Sequence, residues 1–141
     1  MILNRQKRVR VALPRIEKFA RRVRRELRLD GRDLAICLVS EAEMARLNKT
    51  YRGKHGPTDV LSFPASEEAS SRRASSKSLG DIAIAPTVAR RNAKRYGRKL
   101  RDELRILILH GVLHLMGYDH ESDSGQMERR ERFLRRRLGL E

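Results

Sequence analysis

The sequence has no tryptophan, only three tyrosines and three phenylalanines, and a single cysteine. Each scarcity excludes something. Cys37 cannot close an internal disulfide, so the chain has no disulfide partner of its own. It lies in the apolar run 34–39, the setting of a small buried side chain rather than a reactive thiol. No stretch approaches the roughly 18 to 20 apolar residues that a membrane span needs. The opening Met-Ile-Leu-Asn-Arg has no apolar core of signal-peptide length. No membrane partner is expected, and the cytoplasm is the expected compartment. So few aromatics argue against a stacking platform for single-stranded bases and favour contacts to phosphate and RNA shape.

Acidic charge is also scarce. Against 33 Lys and Arg stand 18 Asp and Glu, a net charge of +15 over 141 residues. The excess is clustered: residues 1–30 hold eleven basic and three acidic side chains, and residues 86–105 hold eight and two. Such a field attracts polyanions and speeds encounter with them. Nucleic acid is therefore the expected partner, with Arg21, Arg22, Arg25, Lys54, Arg90 and Arg91 as candidate RNA contacts.

What is present is a set of periodic apolar segments sufficient for one domain over residues 1–141, with no internal repeat and no linker. A strand is expected over 2–11 and a helix from Pro14 to about Leu29, its inner face Ile16, Phe19, Ala20, Val23 and Leu27. Residues 34–40 read as a strand covered on both faces. Ser40 is placed to cap a short helix over 41–48. A polar loop follows over 49–59, then strands at 60–63 and 81–85. The Ser-rich segment 65–78 reads as an exposed, mobile loop. Helices are expected over 86–96, 101–116 and 124–138. The middle one is apolar all round and should be central and buried.

That central helix carries the most informative pattern, His110-Gly-Val-Leu-His114-Leu-Met-Gly117-Tyr118-Asp119-His120. Positions i and i+4 share a helix face, so His110 and His114 can converge on one point. Gly117 can end the helix in a left-handed conformation and return the chain toward that point with His120. Three neutral imidazoles and an open fourth position suit a catalytic zinc, with water as the fourth ligand. The spacing is that of the metzincin proteases, which carry a glutamate general base after the first histidine. Here that position is Gly111, which cannot take a proton, and this weakens a metallopeptidase reading.

His110–His120, together with Tyr51-Arg52-Gly53-Lys54, the segment Pro57-Thr58-Asp59-Val60-Leu61-Ser62-Phe63-Pro64 and Leu79-Gly80-Asp81-Ile82-Ala83-Ile84, resembles the bacterial YbeY family of rRNA-maturation endoribonucleases. The resemblance runs over most of the chain in one order. It implies an α+β, zincin-like domain with a mixed sheet of about four strands surrounded by helices. It implies one zinc on the three matching histidines and single-strand-specific RNA cleavage. It also implies a role at the 3′ end of small-subunit 16S rRNA and in 70S ribosome quality control. The ribosome, through its small subunit, becomes the implied partner. Arg52 stands where the family has an arginine implicated in activity, and a guanidinium can grip phosphate through a bidentate fork. His55 stands where relatives often carry an acidic residue, and reads as a solvated loop residue.

Asp119 and Glu121 flank His120 and are candidates to orient a ligand from behind. Asp59 and Asp81 lie at strand starts and can face the same cleft, though capping or turn duty is the simpler role for all four and the preferred one for Asp59. Three further functions stand beside the endoribonuclease: an RNA-binding assembly factor of the ribosome with a structural zinc, a metallopeptidase, and a small-molecule metal hydrolase. The last gives no reason for so much positive charge.

Overall fold

The protein is described here from a computed structural model covering residues 1–65, 78–119 and 123–140. Four strands form one mixed sheet: β1 (Ile2–Asn4), β2 (Asp33–Leu38), β3 (Val60–Pro64) and β4 (Ser78–Ile84), in the order β1-β2-β4-β3. The pairs β1/β2 and β2/β4 are parallel, and the edge strand β3 runs antiparallel to β4. Five helices lie among the described residues: α1 (Leu13–Glu26), α2 (Glu41–Arg52), α3 (Pro86–Tyr96), α4 (Leu100–Leu115) and α5 (Gln126–Arg137). The expected α+β class and mixed four-stranded sheet are both present.

Strand alternation sends Ile36, Leu38, Ile82 and Ile84 to one face, where they join α1, α4 and α5 in the main core. Cys37, Leu61, Phe63 and Ala83 point to the other face, toward Met44 and Leu47 of α2. Layers therefore cover both faces, as the unbroken apolar run in β2 requires. Its second face is only half-buried at Ala35 and Cys37, where the smaller cluster of Met44, Leu47 and Val88 covers it. Burial still pushes the Cys37 thiol up from its ordinary value, which keeps it protonated.

The helix α4 is central, packing on β3, β4, α1, α3 and α5. Leu104, Ile106, Leu107, Ile108, Leu109, Val112 and Leu113 are all buried in it. Among the described residues, no helix is long and apolar enough to cross a membrane.

Several boundaries differ from the sequence reading. The first strand stops at Asn4 rather than continuing to residue 11. There the buried Gln6 takes over: its side-chain amide donates to the Val9 carbonyl at 2.9 Å and accepts from the Val9 amide at 2.9 Å. This side chain satisfies the backbone that a longer ladder would have paired. Helix α1 ends at Glu26, because Arg28 adopts a φ of +59°.

The largest difference is α2, which continues through Tyr51 and Arg52 into the segment read as loop. Gly53, at φ +64°, ends it, its amide donating to the Lys49 carbonyl at 3.0 Å. That left-handed cap lets the helix keep one more turn than its apolar spacing suggests. Ser40 caps the start as expected, accepting from the Glu43 amide at 3.1 Å. The expected loop 65–78 falls largely outside the described residues, but Ser78 belongs to β4.

One glycine is obligatory in the sheet. The register of β2 on β4 shifts between Asp33 and Leu34, leaving Leu79 as an extra residue, and Gly80 follows at φ +134°. A Cβ there would stand 2.3 Å from the Phe63 carbonyl oxygen and 2.9 Å from the Pro64 Cα. Gly80→Ala is therefore expected to destabilise the fold by about 2 kcal/mol or more, measured by denaturant unfolding. Stability equal to the parent would mean the β3–β4 ladder is not this tight.

Candidate metal centre

The seat of the site is the C-terminal half of α4. Gly111 is buried against β4, where an added Cβ would lie 2.8 Å from Ile82 Cδ1 and 3.1 Å from Cγ1. Its carbonyl also accepts from the Ser62 hydroxyl on β3 at 3.1 Å. The missing side chain lets the helix lie flush on the sheet. The faces carrying His110 and His114 then turn outward, into a cleft of about 1000 Å³.

The two imidazoles meet there. His110 Nε2 and His114 Nε2 are 3.0 Å apart, with ring centroids 4.6 Å apart and planes at 76°. Both residues are half-buried rather than buried as the helix's apolar surround suggests, and the His110 side chain remains 30% exposed. The reason is positional: the face carrying the two histidines lines the cleft, while Leu109, Val112 and Leu113 on the other sides are buried. Beyond them Gly117 adopts φ +99°, with its amide on the His114 carbonyl and the Tyr118 amide on the Leu113 carbonyl. This is the expected glycine stop. His120 and Glu121 lie outside the described residues.

A partner that sequence reading missed comes from α5. Glu131 Oε1 stands 2.9 Å from His110 Nδ1, while Oε2 pairs with Arg135 at 3.0 Å. Burial pushes the Glu131 carboxyl up, but the His110 hydrogen bond and the nearby Arg135 charge outweigh it and hold it below its ordinary value. An ionised Glu131 fixes Nδ1–H on His110, leaving the Nε2 lone pair to face the cleft. The signal was in the sequence. Met127, Leu134 and Leu138 form the buried stripe of the last helix, and Glu131, four residues after Met127, falls on that stripe.

These donors fit a metal ion. Two nitrogens bound at about 2.0–2.1 Å in a tetrahedral site stand roughly 3.3 Å apart, close to the observed separation. A carboxylate on the far nitrogen of a histidine is the usual outer support of such a ligand. Among the described residues alone, no group of three His, Cys, Asp or Glu side chains forms a cluster that could hold a metal. A third ligand would have to come from the segment carrying His120.

The remaining candidates divide. Arg52, Asp59, Asp81 and Asp119 all line the cleft with the histidines. Asp59, in the bend before β3, accepts from the Asn92 side-chain amide at 3.2 Å, which fixes its position. Arg52 is exposed at the end of α2 and not in a loop. His55 is exposed and does not line the cleft. Arg21, Arg22, Arg25, Lys54 and Arg90 are exposed, as phosphate contacts must be. Arg91 is exposed too, but it is paired with Glu41 across α3 and α2.

A sequence-family model described as "Endoribonuclease YbeY" matches residues 1–139. The chain is 43% identical over 127 residues to the endoribonuclease YbeY of Solibacter usitatus, covering 90% of this chain and 80% of the relative. It is 41% identical over 133 residues to that of Aquifex aeolicus, covering 94% and 85%. The solution structure of TM1509 from Thermotoga maritima is similar in fold, with a TM-score of 0.60 at 27% identity, covering 98% of this chain and 89% of that one.

Position 111 separates nuclease from peptidase geometry. Gly111→Glu, which restores the metzincin motif, is expected to cost about 3 kcal/mol or more of stability and to yield no peptide hydrolysis. The new carboxylate would be driven into Ile82 rather than the cleft. A stable variant that cleaves peptides would contradict this placement.

Proposed function

The chain belongs to the YbeY family of endoribonucleases and is a hydrolase acting on RNA; from that premise we propose that it is a zinc-dependent, single-strand-specific endoribonuclease of rRNA maturation. Its finer role is at the 3′ end of small-subunit 16S rRNA and in 70S ribosome quality control, with the cytoplasm as its compartment and the ribosome as its partner. The single zinc is held by His110, His114 and His120 in one zincin-like domain. The paired Nε2 atoms, 3.0 Å apart at the wall of a cleft that also holds an arginine, carry this reading. The +15 charge supports a polyanionic substrate.

When bound, zinc supplies Lewis acidity toward a phosphoryl oxygen and activates the nucleophile at neutral pH. The chain's own residues do the rest. Glu131 accepts the Nδ1 proton of His110 and holds its ring, and Arg135 holds Glu131 in turn. Arg52 meets the phosphodiester from the end of α2 and neutralises charge as it builds on phosphorus. Asp119 borders the cleft next to His120 in sequence and can orient that ligand. Exposed arginines of α1 and α3 draw the RNA in through its phosphates. The second reading, a structural zinc in an RNA-binding assembly factor, requires a fourth protein ligand. His55 does not line the cleft to supply one, whereas the carboxylates Asp59, Asp81 and Asp119 do line it.

Two substitutions separate metal binding from transition-state work. His114→Ala is expected to lose zinc and cleavage of an rRNA precursor together. Arg52→Ala is expected to keep zinc and RNA affinity while kcat falls by about 100-fold or more. Cleavage by zinc-free His114→Ala protein would overturn the reading, and an unchanged kcat would remove Arg52 from the mechanism.

A further inference from the structure

Six aromatic residues are few, but their placement is uneven. Three of them, Tyr51, Phe63 and Tyr118, line the cleft that holds the histidine pair. Tyr118 packs partly against the main core. Tyr51 does not: it is 65% exposed on the last turn of α2, beside Arg52. Phe63 of β3 meets it edge to face, with centroids 5.1 Å apart and planes at 73°.

Comparison with the other exposed rings sets Tyr51 apart. Arg98 lies over Tyr96 at 5.1 Å, and Arg130 and Arg137 lie over Phe133 at 5.7 and 6.0 Å. Those rings already have a cation on their faces. Among the described residues, no cation covers Tyr51. Its ring is braced at a fixed angle, open to solvent, and next in sequence to the arginine expected at the phosphate. Bracing by Phe63 lowers the entropy lost when something stacks on it.

Geometry along β3 adds a direction. Ser62 points to the α4 side, where its hydroxyl reaches Gly111, and Phe63 points to the α2 side. The cleft therefore crosses the edge strand, with the histidines on one side and the aromatic pair on the other. A flexible single strand can bend across such an edge, laying a phosphate near the histidines and a splayed base beyond it. A duplex keeps its base faces stacked inward and offers none to the ring.

We propose that Tyr51, braced by Phe63, is a stacking site for one unpaired nucleobase next to the cleaved phosphodiester. This rests on the endoribonuclease reading and deepens it: the site selects unpaired RNA by a ring face rather than by base-edge hydrogen bonds, so it tolerates all four bases.

The test uses zinc-loaded full-length protein and a set of single-stranded 12-nucleotide RNAs of mixed sequence, each with one abasic position. Wild-type protein should bind and cut the set normally, except when the abasic position falls at one site beside the cleavage point. There Kd and KM should rise about tenfold or more. Tyr51→Ala should show the same loss on intact RNA and no further loss on the abasic one, with kcat changed much less than KM. Tyr51→Phe should behave as wild type, and affinity for an RNA duplex should be the same in all three proteins. Undiminished affinity and cutting by Tyr51→Ala, or an abasic set without a sensitive position, would overturn the stacking site alone. RNA neither bound nor cut by the wild-type protein would instead overturn the endoribonuclease reading beneath it.

Discussion

The whole site depends on one contact, the flush packing of α4 on β4 where Gly111 meets Ile82. Nothing larger than hydrogen fits at that position without displacing the isoleucine. The close approach sets the rotation of the helix, and the rotation places His110 and His114 at the cleft wall with their Nε2 atoms together. Ser62 reinforces it from the edge strand by donating to the same glycine's carbonyl. Gly111 is therefore more than a protease base gone missing. It is the condition under which a helix whose last two turns bury Ile108, Leu109, Val112 and Leu113 can still present its two histidines to a cleft.

Around that seat the fold assembles its polar parts from separate elements. Arg52 ends α2, Asp59 immediately precedes β3, Asp81 lies within β4 opposite Phe63, and Glu131 comes from α5. No two of these are neighbours in sequence, and three of them have an identifiable support. Gly53 caps the helix that carries Arg52, Asn92 holds Asp59, and Arg135 holds Glu131. Asp59, Asp81 and Asp119, the three carboxylates that line the cleft of this strongly basic protein, would repel a phosphodiester if left alone. A cation on the histidines, as proposed, would offset that repulsion together with the Arg52 guanidinium, so the proposed cation and the arginine belong to one electrostatic arrangement.

Much of this was legible in the chain. The i, i+4 histidines and the glycine stop at Gly117 follow from helix geometry alone, and the apolar surround of residues 101–116 announces a central helix. What escaped has physical reasons. The first strand was drawn too long because a glutamine side chain can replace a ladder, and periodicity cannot register that. Tyr51 and Arg52 were assigned to a loop because their helical turn is sustained by the Gly53 cap rather than by apolar spacing. Glu131 has no sequence motif to mark it among the arginines of its helix, although it sits on the buried stripe of Met127 and Leu134. The scarcity of aromatics argues against a stacking platform, and a count does not show that three of the six line one cleft, the observation on which the proposed stacking site rests.

The central claim is that RNA cleavage requires the cation held by this histidine set. The most direct measurement is the rate of rRNA-precursor cleavage as zinc is titrated into chelator-stripped protein whose fold is verified independently. The account predicts negligible cleavage without metal and recovery that saturates at one zinc per chain. Full-rate cleavage by the stripped protein would contradict it.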